Sequence, residues 1–220
     1  MNDIKLFETT NLKTKTAETF QEMMNYRNMK FSEKNDKNSL FDYMGSDDKD
    51  SKWFEYIGKT DPTALTAVKF SLDKRQTQVI SFRQKITDKV NELKERDDIG
   101  SEDKITIIMV MSEKPNDNIP KACYEIFLKT GVYVQVFSLG RLAFNITKHK
   151  MVPKHEKLGE LDKKLFLDDH NLNDESIKNI PHINYTDPVA MFIGLKPNDI
   201  CKITRLSKFS DTTTTFRYCV

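Results

Sequence analysis

DPVAMFIGLKPNDICKITRLS, residues 187–207, spells out the architecture of the last third of this chain. The Asp187 carboxylate can accept the free amides of a first helical turn, and Pro188 loses nothing at the first helical position, where its missing donor has no partner anyway. Gly194 ends that helix after about two turns, because glycine enters the left-handed conformation without steric cost. Lys196-Pro197-Asn198-Asp199 then has turn chemistry, and Ile200 to Leu206 is rich in strand formers. Thr212 to Cys219 is the natural partner strand. The stretch therefore predicts a capped helix, a tight turn and a two-stranded ribbon, the centre of a small α+β module.

Working upstream, Leu161, Leu165 and Phe166 after Gly159 predict a short helix, and Leu172 to Ile177 a further fragment before the Pro181 break. Leu142, Phe144 and Ile146 alternate, and a polar connection begins at Thr147. The boundary is placed near 140–147, giving domains of residues 1–143 and 144–220.

The front part has a different grammar. Ala17, Phe20, Met23 and Met24 recur at helical spacing, with Thr14 and Thr16 as candidate N-caps. Between Asp36 and Tyr56, scattered Leu40, Phe41, Tyr43, Trp53, Phe54 and Tyr56 suggest short helical turns that pin aromatics under a polar loop. Asp61-Pro62 forbids helix, and alternation over Thr63 to Asp73 predicts a half-buried strand. Val79, Phe82, Ile86, Val90 and Leu93 mark a helix over about 79–97, with Arg83, Lys85, Lys89, Lys94 and Arg96 on its outer face and Gly100 as the stop. Ile105 to Met111 and Val132 to Phe137 are apolar runs suited to strands covered on both sides. A helix from about Pro120 to Thr130 lies between them, with Ala122, Cys123, Ile126 and Phe127 inward. Strand, helix, strand at this spacing implies parallel pairing, so residues 1–143 read as α/β, a mixed sheet flanked by helices.

Charge excludes some functions. The chain has 35 Lys+Arg against 33 Asp+Glu, and residues 147–220 hold 12 and 10 of these, leaving 23 of each in front. A formally neutral front part predicts that any contact with DNA is local rather than tight and autonomous. The basic outer face of the helix over 79–97 could face DNA, but Glu92, Glu95, Asp97 and Asp98 share it, so a solvated scaffold face is the preferred reading. Three widely spaced cysteines, Cys123, Cys201 and Cys219, sit in apolar runs and suit buried thiols in a reducing compartment. The start, Met1-Asn2-Asp3, has no apolar signal region, and no run approaches the ~20 residues that span a bilayer, so no membrane partner is expected.

Catalytic and metal motifs are weak. His149 and His155 are six apart, without a cysteine or carboxylate at ligand spacing, and His170 and His182 stand alone, so neither a metal nor another cofactor is implied. No glycine-rich phosphate loop and no nucleophile elbow occurs. The strongest enzymatic alternative is a metal-dependent nuclease built on Asp61 with Glu102-Asp103-Lys104, although that acid-x-Lys triplet precedes its strand rather than ending it.

One resemblance outweighs these motifs. NITKHKMVPKHEKL at 145–158, DPVAMFIGLK at 187–196 and ICKITRLS at 200–207, closed by FRYCV at 216–220, together resemble the C-terminal assembly domain of the fifth-largest common subunit of eukaryotic-type DNA-directed RNA polymerases, a family that includes the archaeal counterpart of that subunit. Lys148, His149, Val152, Pro153 and His155 match the family's His-x-Leu-Val-Pro-x-His strand motif, with Met151 in place of the leucine. Asp187, Pro188, Val189 and Ala190 match its helix start, Gly194 to Lys196 its helix end, and Ile203, Arg205 and Ser207 the strand that follows.

The resemblance implies a noncatalytic polymerase subunit, without cofactor, whose C-terminal domain anchors on the largest subunit while the N-terminal domain forms a jaw near downstream double-stranded DNA. Subunit-interface residues are then Lys148, His149, Val152, Pro153, His155, Asp187, Pro188 and Arg205. Asn118-Ile119-Pro120-Lys121-Ala122 stands where the family has a Thr-Pro-Ser-Ala helix start, which makes Asn118, Pro120 and Lys121 the DNA-proximal residues. The expected location is the nucleus, or a virion or viral factory if a large DNA virus with an AT-rich genome encodes the chain. A nuclease-like DNA-processing enzyme and a free interaction adaptor are the competing readings.

Overall fold

The computed structural model describes residues 2–35, 40, 43, 52–72, 79–96, 99–100, 104–173, 175–206 and 211–220. Two compact units emerge, Met1–Phe144 and Asn145–Val220. Among the described residues no helix is long and apolar enough to cross a membrane.

The first unit runs α1 (Asn2–Tyr26), β1 (Met29–Phe31), β2 (Phe54–Gly58), β3 (Ala64–Ser71), α2 (Val79–Lys94), β4 (Lys104–Met111), α3 (Asn118–Thr130) and β5 (Tyr133–Ser138). Its five strands lie in sequence order in one sheet. β1, β2 and β3 are antiparallel neighbours, whereas β3, β4 and β5 are parallel because helices α2 and α3 carry the chain back between them. The mixed sheet flanked by helices predicted from sequence is therefore present.

One sheet face presents Leu65, Ala67, Ile105, Ile107, Met109, Val134 and Val136 to Phe82, Ile86, Val90 and Leu93 of α2 and to Ala122, Cys123 and Ile126 of α3. On the other face, Phe20 of α1 meets Tyr56 and Phe70 edge-on, with centroids 6.1 and 5.7 Å apart, and Phe54 stacks on Phe70 at 5.6 Å. Each fully buried aromatic here stabilises the fold by about 1.5–3 kcal/mol relative to exposure.

This double cover corrects several expectations. β3 is buried along nearly its whole length rather than on alternate residues, since α1 closes the face that alternation left to solvent. α1 starts at Asn2, so Thr14 and Thr16 lie inside the helix instead of capping it. Nothing between Asn2 and Thr14 breaks a helix. Thr16 is buried and its hydroxyl donates to the Leu139 carbonyl at 3.2 Å. Phe54 and Tyr56 belong to strand β2, not to helical turns, because pairing with β3 satisfies their backbone. Phe41 lies outside the described residues, as do Asp73, Asp97 and Asp98. Lys89, expected outward, is only 5% exposed: its ammonium reaches Glu92 at 2.6 Å and lies over the Trp53 ring at 5.6 Å. The aliphatic stem is thereby buried while the charge keeps a partner.

The second unit contains β6 (Lys154–Lys157), α4 (Glu160–Asp169), β7 (His182–Ile183), α5 (Pro188–Ile193), β8 (Ile200–Leu206) and β9 (Thr212–Cys219). The sheet order is β6-β8-β9-β7, antiparallel except for the short β7–β9 pairing. Phe166 of α4 packs on Phe216 with centroids 4.3 Å apart, over a core with Ile177, Ile200 and Tyr218. Leu161 and Leu165, the residues that marked this helix in the sequence, are 80% and 61% exposed, because the helix turns its Phe166 side to the sheet. The Leu142, Phe144, Ile146 alternation forms no strand. Leu139–Leu142 and Ile146–Lys148 are 3-10 turns, held by Ser138 and Asn145 side chains that accept from Arg141 and Thr147 amides.

Candidate subunit interface

The predicted helix start at 187 is built as its residue types demand. Asp187 Oδ1 accepts from the Val189 and Ala190 amides at 2.8 and 3.2 Å, and Pro188 holds the first helical position. Gly194 closes the helix at φ 75°. In the turn that follows, Asn198 also adopts φ 75°, and Asp199 Oδ2 accepts from the Lys196 amide at 2.6 Å. α5 packs against β6 and the Ile146–Lys148 turn, so the cap fixes the segment that carries the histidine motif.

That motif is not one strand. Pro153 cannot donate to a ladder, and the His149 ring turns the chain: its Nδ1 accepts from the Met151 amide at 3.2 Å, while its carbonyl accepts from the Val152 amide at 2.9 Å. The strand begins only at Lys154. His155 Nδ1 donates to the Pro153 carbonyl at 2.7 Å, which places the ring proton on Nδ1.

β6 pairing ends at Lys154 opposite Thr204, so β8 outruns it by Arg205 and Leu206. In the corner between this overhang and the incoming loop lies an open groove of about 700 Å³, lined by Lys150 to Lys154, Thr204 to Leu206 and Thr212. Met151 is 80% exposed and Leu206 is 90% exposed on its rim. Three cations, Lys150, Lys154 and Arg205, line it and no carboxylate does among the described residues; Lys154 pairs with Glu156 at 2.7 Å nearby.

The structure thus brings Val152, Pro153 and Arg205 together in one groove. Lys148 and His149 are exposed in the turn that leads into it, while His155, Asp187 and Pro188 lie outside its lining and hold its framework. Ser207 lies outside the described residues. Sequence reasoning missed Lys150 and Leu206 and noted Met151 only as a replacement. Leu206 shares the parity of buried Ile200, which reads as core. The α4 cover reaches the Lys202–Phe216 pair, and Leu206 lies four residues beyond it.

In the front unit, α3 begins at Asn118, two residues before the predicted Pro120 start. The Asn118 amide donates to Asn116 Oδ1 at 3.3 Å and the Ile119 amide to the Asn116 carbonyl at 2.8 Å, and Pro120 has no amide. The helix start therefore has few free donors for a phosphate, and the exposed Lys121 ammonium is the remaining cationic feature. The nuclease constellation is also altered. Asp61 Oδ1 accepts from the Thr63 amide and hydroxyl, and its Oδ2 lies 3.4 Å from Lys104 Nζ. The Thr63 hydroxyl bond is the main force holding this carboxyl below its ordinary range. Glu102 and Asp103 lie outside the described residues, and among those described no group of three His, Cys, Asp or Glu could hold a metal ion. Burial pushes the Cys123 and Cys219 thiols up to about 12 and Cys201 to about 11, far from thiolate chemistry at neutral pH.

A small α+β module with a cationic groove and bare apolar rim has the make of a protein-docking part. The model of the RNA polymerase Rpb5 C-terminal domain matches residues 144–219. DNA-directed RNA polymerase subunit Rpo5 of Sulfolobus acidocaldarius is 37% identical over 83 residues, 38% of this chain and 95% of that protein. DNA-directed RNA polymerases IV and V subunit 5B of Arabidopsis thaliana is 26% identical over 123 residues, 56% of this chain and 53% of the relative. The subunit rpabc1 of DNA-directed RNA polymerases I, II, and III of Dictyostelium discoideum is 29% identical over 113 residues, covering 51% and 56%. The chain spans nearly all of the archaeal relative and about half of the two eukaryotic ones. It belongs to the Rpb5 family of DNA-directed RNA polymerase subunits.

Proposed function

We propose that this chain is a positioning part of a DNA-directed RNA polymerase with no chemistry of its own. Its second unit anchors on the largest subunit through the Lys150–Lys154 and Arg205–Leu206 groove, and its first unit serves as a jaw beside downstream duplex DNA, in the nucleus. The carrying observation is that groove, where Val152, Pro153 and Arg205 converge beside two of the most exposed apolar side chains among the described residues. A guanidinium on a strand overhang offers a fork of donors that a carboxylate or carbonyl of another chain can fill.

The test is recovery of the tagged full chain from its own cells followed by mass spectrometry of what accompanies it. Large polymerase subunits are expected at near-equal amounts, and Arg205→Ala should lower their recovery about tenfold, the effect of a desolvated arginine anchor. Recovery without any polymerase subunit would favour a free adaptor. The nuclease reading gains no support, since Asp61 is engaged by Thr63 and Lys104.

A further inference from the structure

We infer that the groove beside the β8 overhang takes an extended acidic segment of another polymerase subunit, anchored by at least one apolar side chain. The inference rests on the docking role proposed above and adds the chemistry of what is docked.

Three observations converge. Charge comes first: Lys150 and Arg205 line the groove with Lys154, whose ammonium is paired with Glu156 at 2.7 Å outside the lining, and no carboxylate lines it among the described residues. In a unit whose 12 basic residues are nearly balanced by 10 acidic ones, that is a local separation of sign. A carboxylate-bearing partner is the complement, and it would be steered in as well as held.

Second, Met151 and Leu206 flank the groove at 80% and 90% exposure. Two large apolar groups in water on one rim are costly unless something covers them, and a pocketed apolar side chain between flanking charges is the usual centre of a docking site. A phosphate backbone would satisfy the cations and leave both apolar groups wet.

Third, β6 stops pairing at Thr204, so no strand of this chain among the described residues runs beside Arg205 and Leu206 of β8 on that side. A short extended segment entering there would continue the line of β6 with main-chain hydrogen bonds, and its side chains would alternate between the rim residues and solvent.

The experiment places a photo-crosslinking p-benzoylphenylalanine at Leu206 in the tagged full chain, irradiates the assembled polymerase and sequences the joined peptide. A peptide of another subunit carrying both carboxylates and an apolar residue is expected. In parallel, Met151→Ser with Leu206→Ser should lower incorporation about tenfold at any salt, whereas Lys150→Glu with Arg205→Glu should lower it by a similar factor at low salt and less at high salt, because only the charge term is screened. All four side chains are exposed, and unchanged melting curves will confirm that the variants fold. A joined nucleic acid, a peptide without carboxylates, or wild-type incorporation of both double variants would overturn the inference while leaving the docking role standing. A wild-type chain that assembles with no polymerase subunit would remove both.

Discussion

Asp187 shows how much one side chain decides. Its carboxylate closes two orphan amides and orients α5, which in turn backs β6. Asp187→Ala should cost about 1 kcal/mol of stability, and Asp187→Asn should recover most of it, as read from denaturant midpoints of the full chain. Cys123 makes a second residue-scale prediction. Its thiol is raised to about 12 by burial, above an unfolded value of about 8.5, so its contribution is fully present below that lower value and is lost as pH climbs toward the folded one. Between about pH 8 and about pH 10, Cys123→Ala should therefore lose about 2 kcal/mol less stability than the parent. Both residues were legible in the sequence, one from its place before proline and the other from its apolar setting. Lys89 was not, because periodicity marks a face of the helix and says nothing of Trp53, which waits from a distant segment.

At the scale of elements, helices were easier to read than strands. α2 and α3 have the expected core residues, but β1 and β2 went unpredicted, since a three- or five-residue strand acquires its identity from the neighbour that pairs with it. The turn between β2 and β3 is tight: a methyl group at Gly58 would run into the Asp61 carbonyl and the Ala64 side chain. Gly58→Ala should cost about 2–3 kcal/mol because backbone must move. Gly131→Ala, strained only by its φ of 75° with open space around it, should cost about 1 kcal/mol. Thermal melts of the two variants would test that order, and equal losses would contradict the close approach at Gly58.

For the whole molecule, the prediction concerns Lys121, the cation left at the start of α3 once Asn116 has taken the neighbouring amides. If the first unit stands beside downstream duplex, Lys121→Ala should leave assembly intact, weaken retention on DNA at low salt, and flatten the dependence of log affinity on log salt by about 0.9. An unchanged salt slope would take Lys121 out of the DNA path. By itself the sequence determined the class of both units, the capped helix at 188 and the hairpin that follows it, because caps, turns and apolar periodicity are local; the family was legible only through the resemblance of the ordered motifs between 145 and 220 to known relatives. Only the tertiary structure decided which apolar residues stay bare and which cations gather. Arg205 was singled out through the resemblance, but nothing in the sequence joined it to Leu206, Met151 and Lys150 until the end of β6 and the reach of α4 left them together at one open corner.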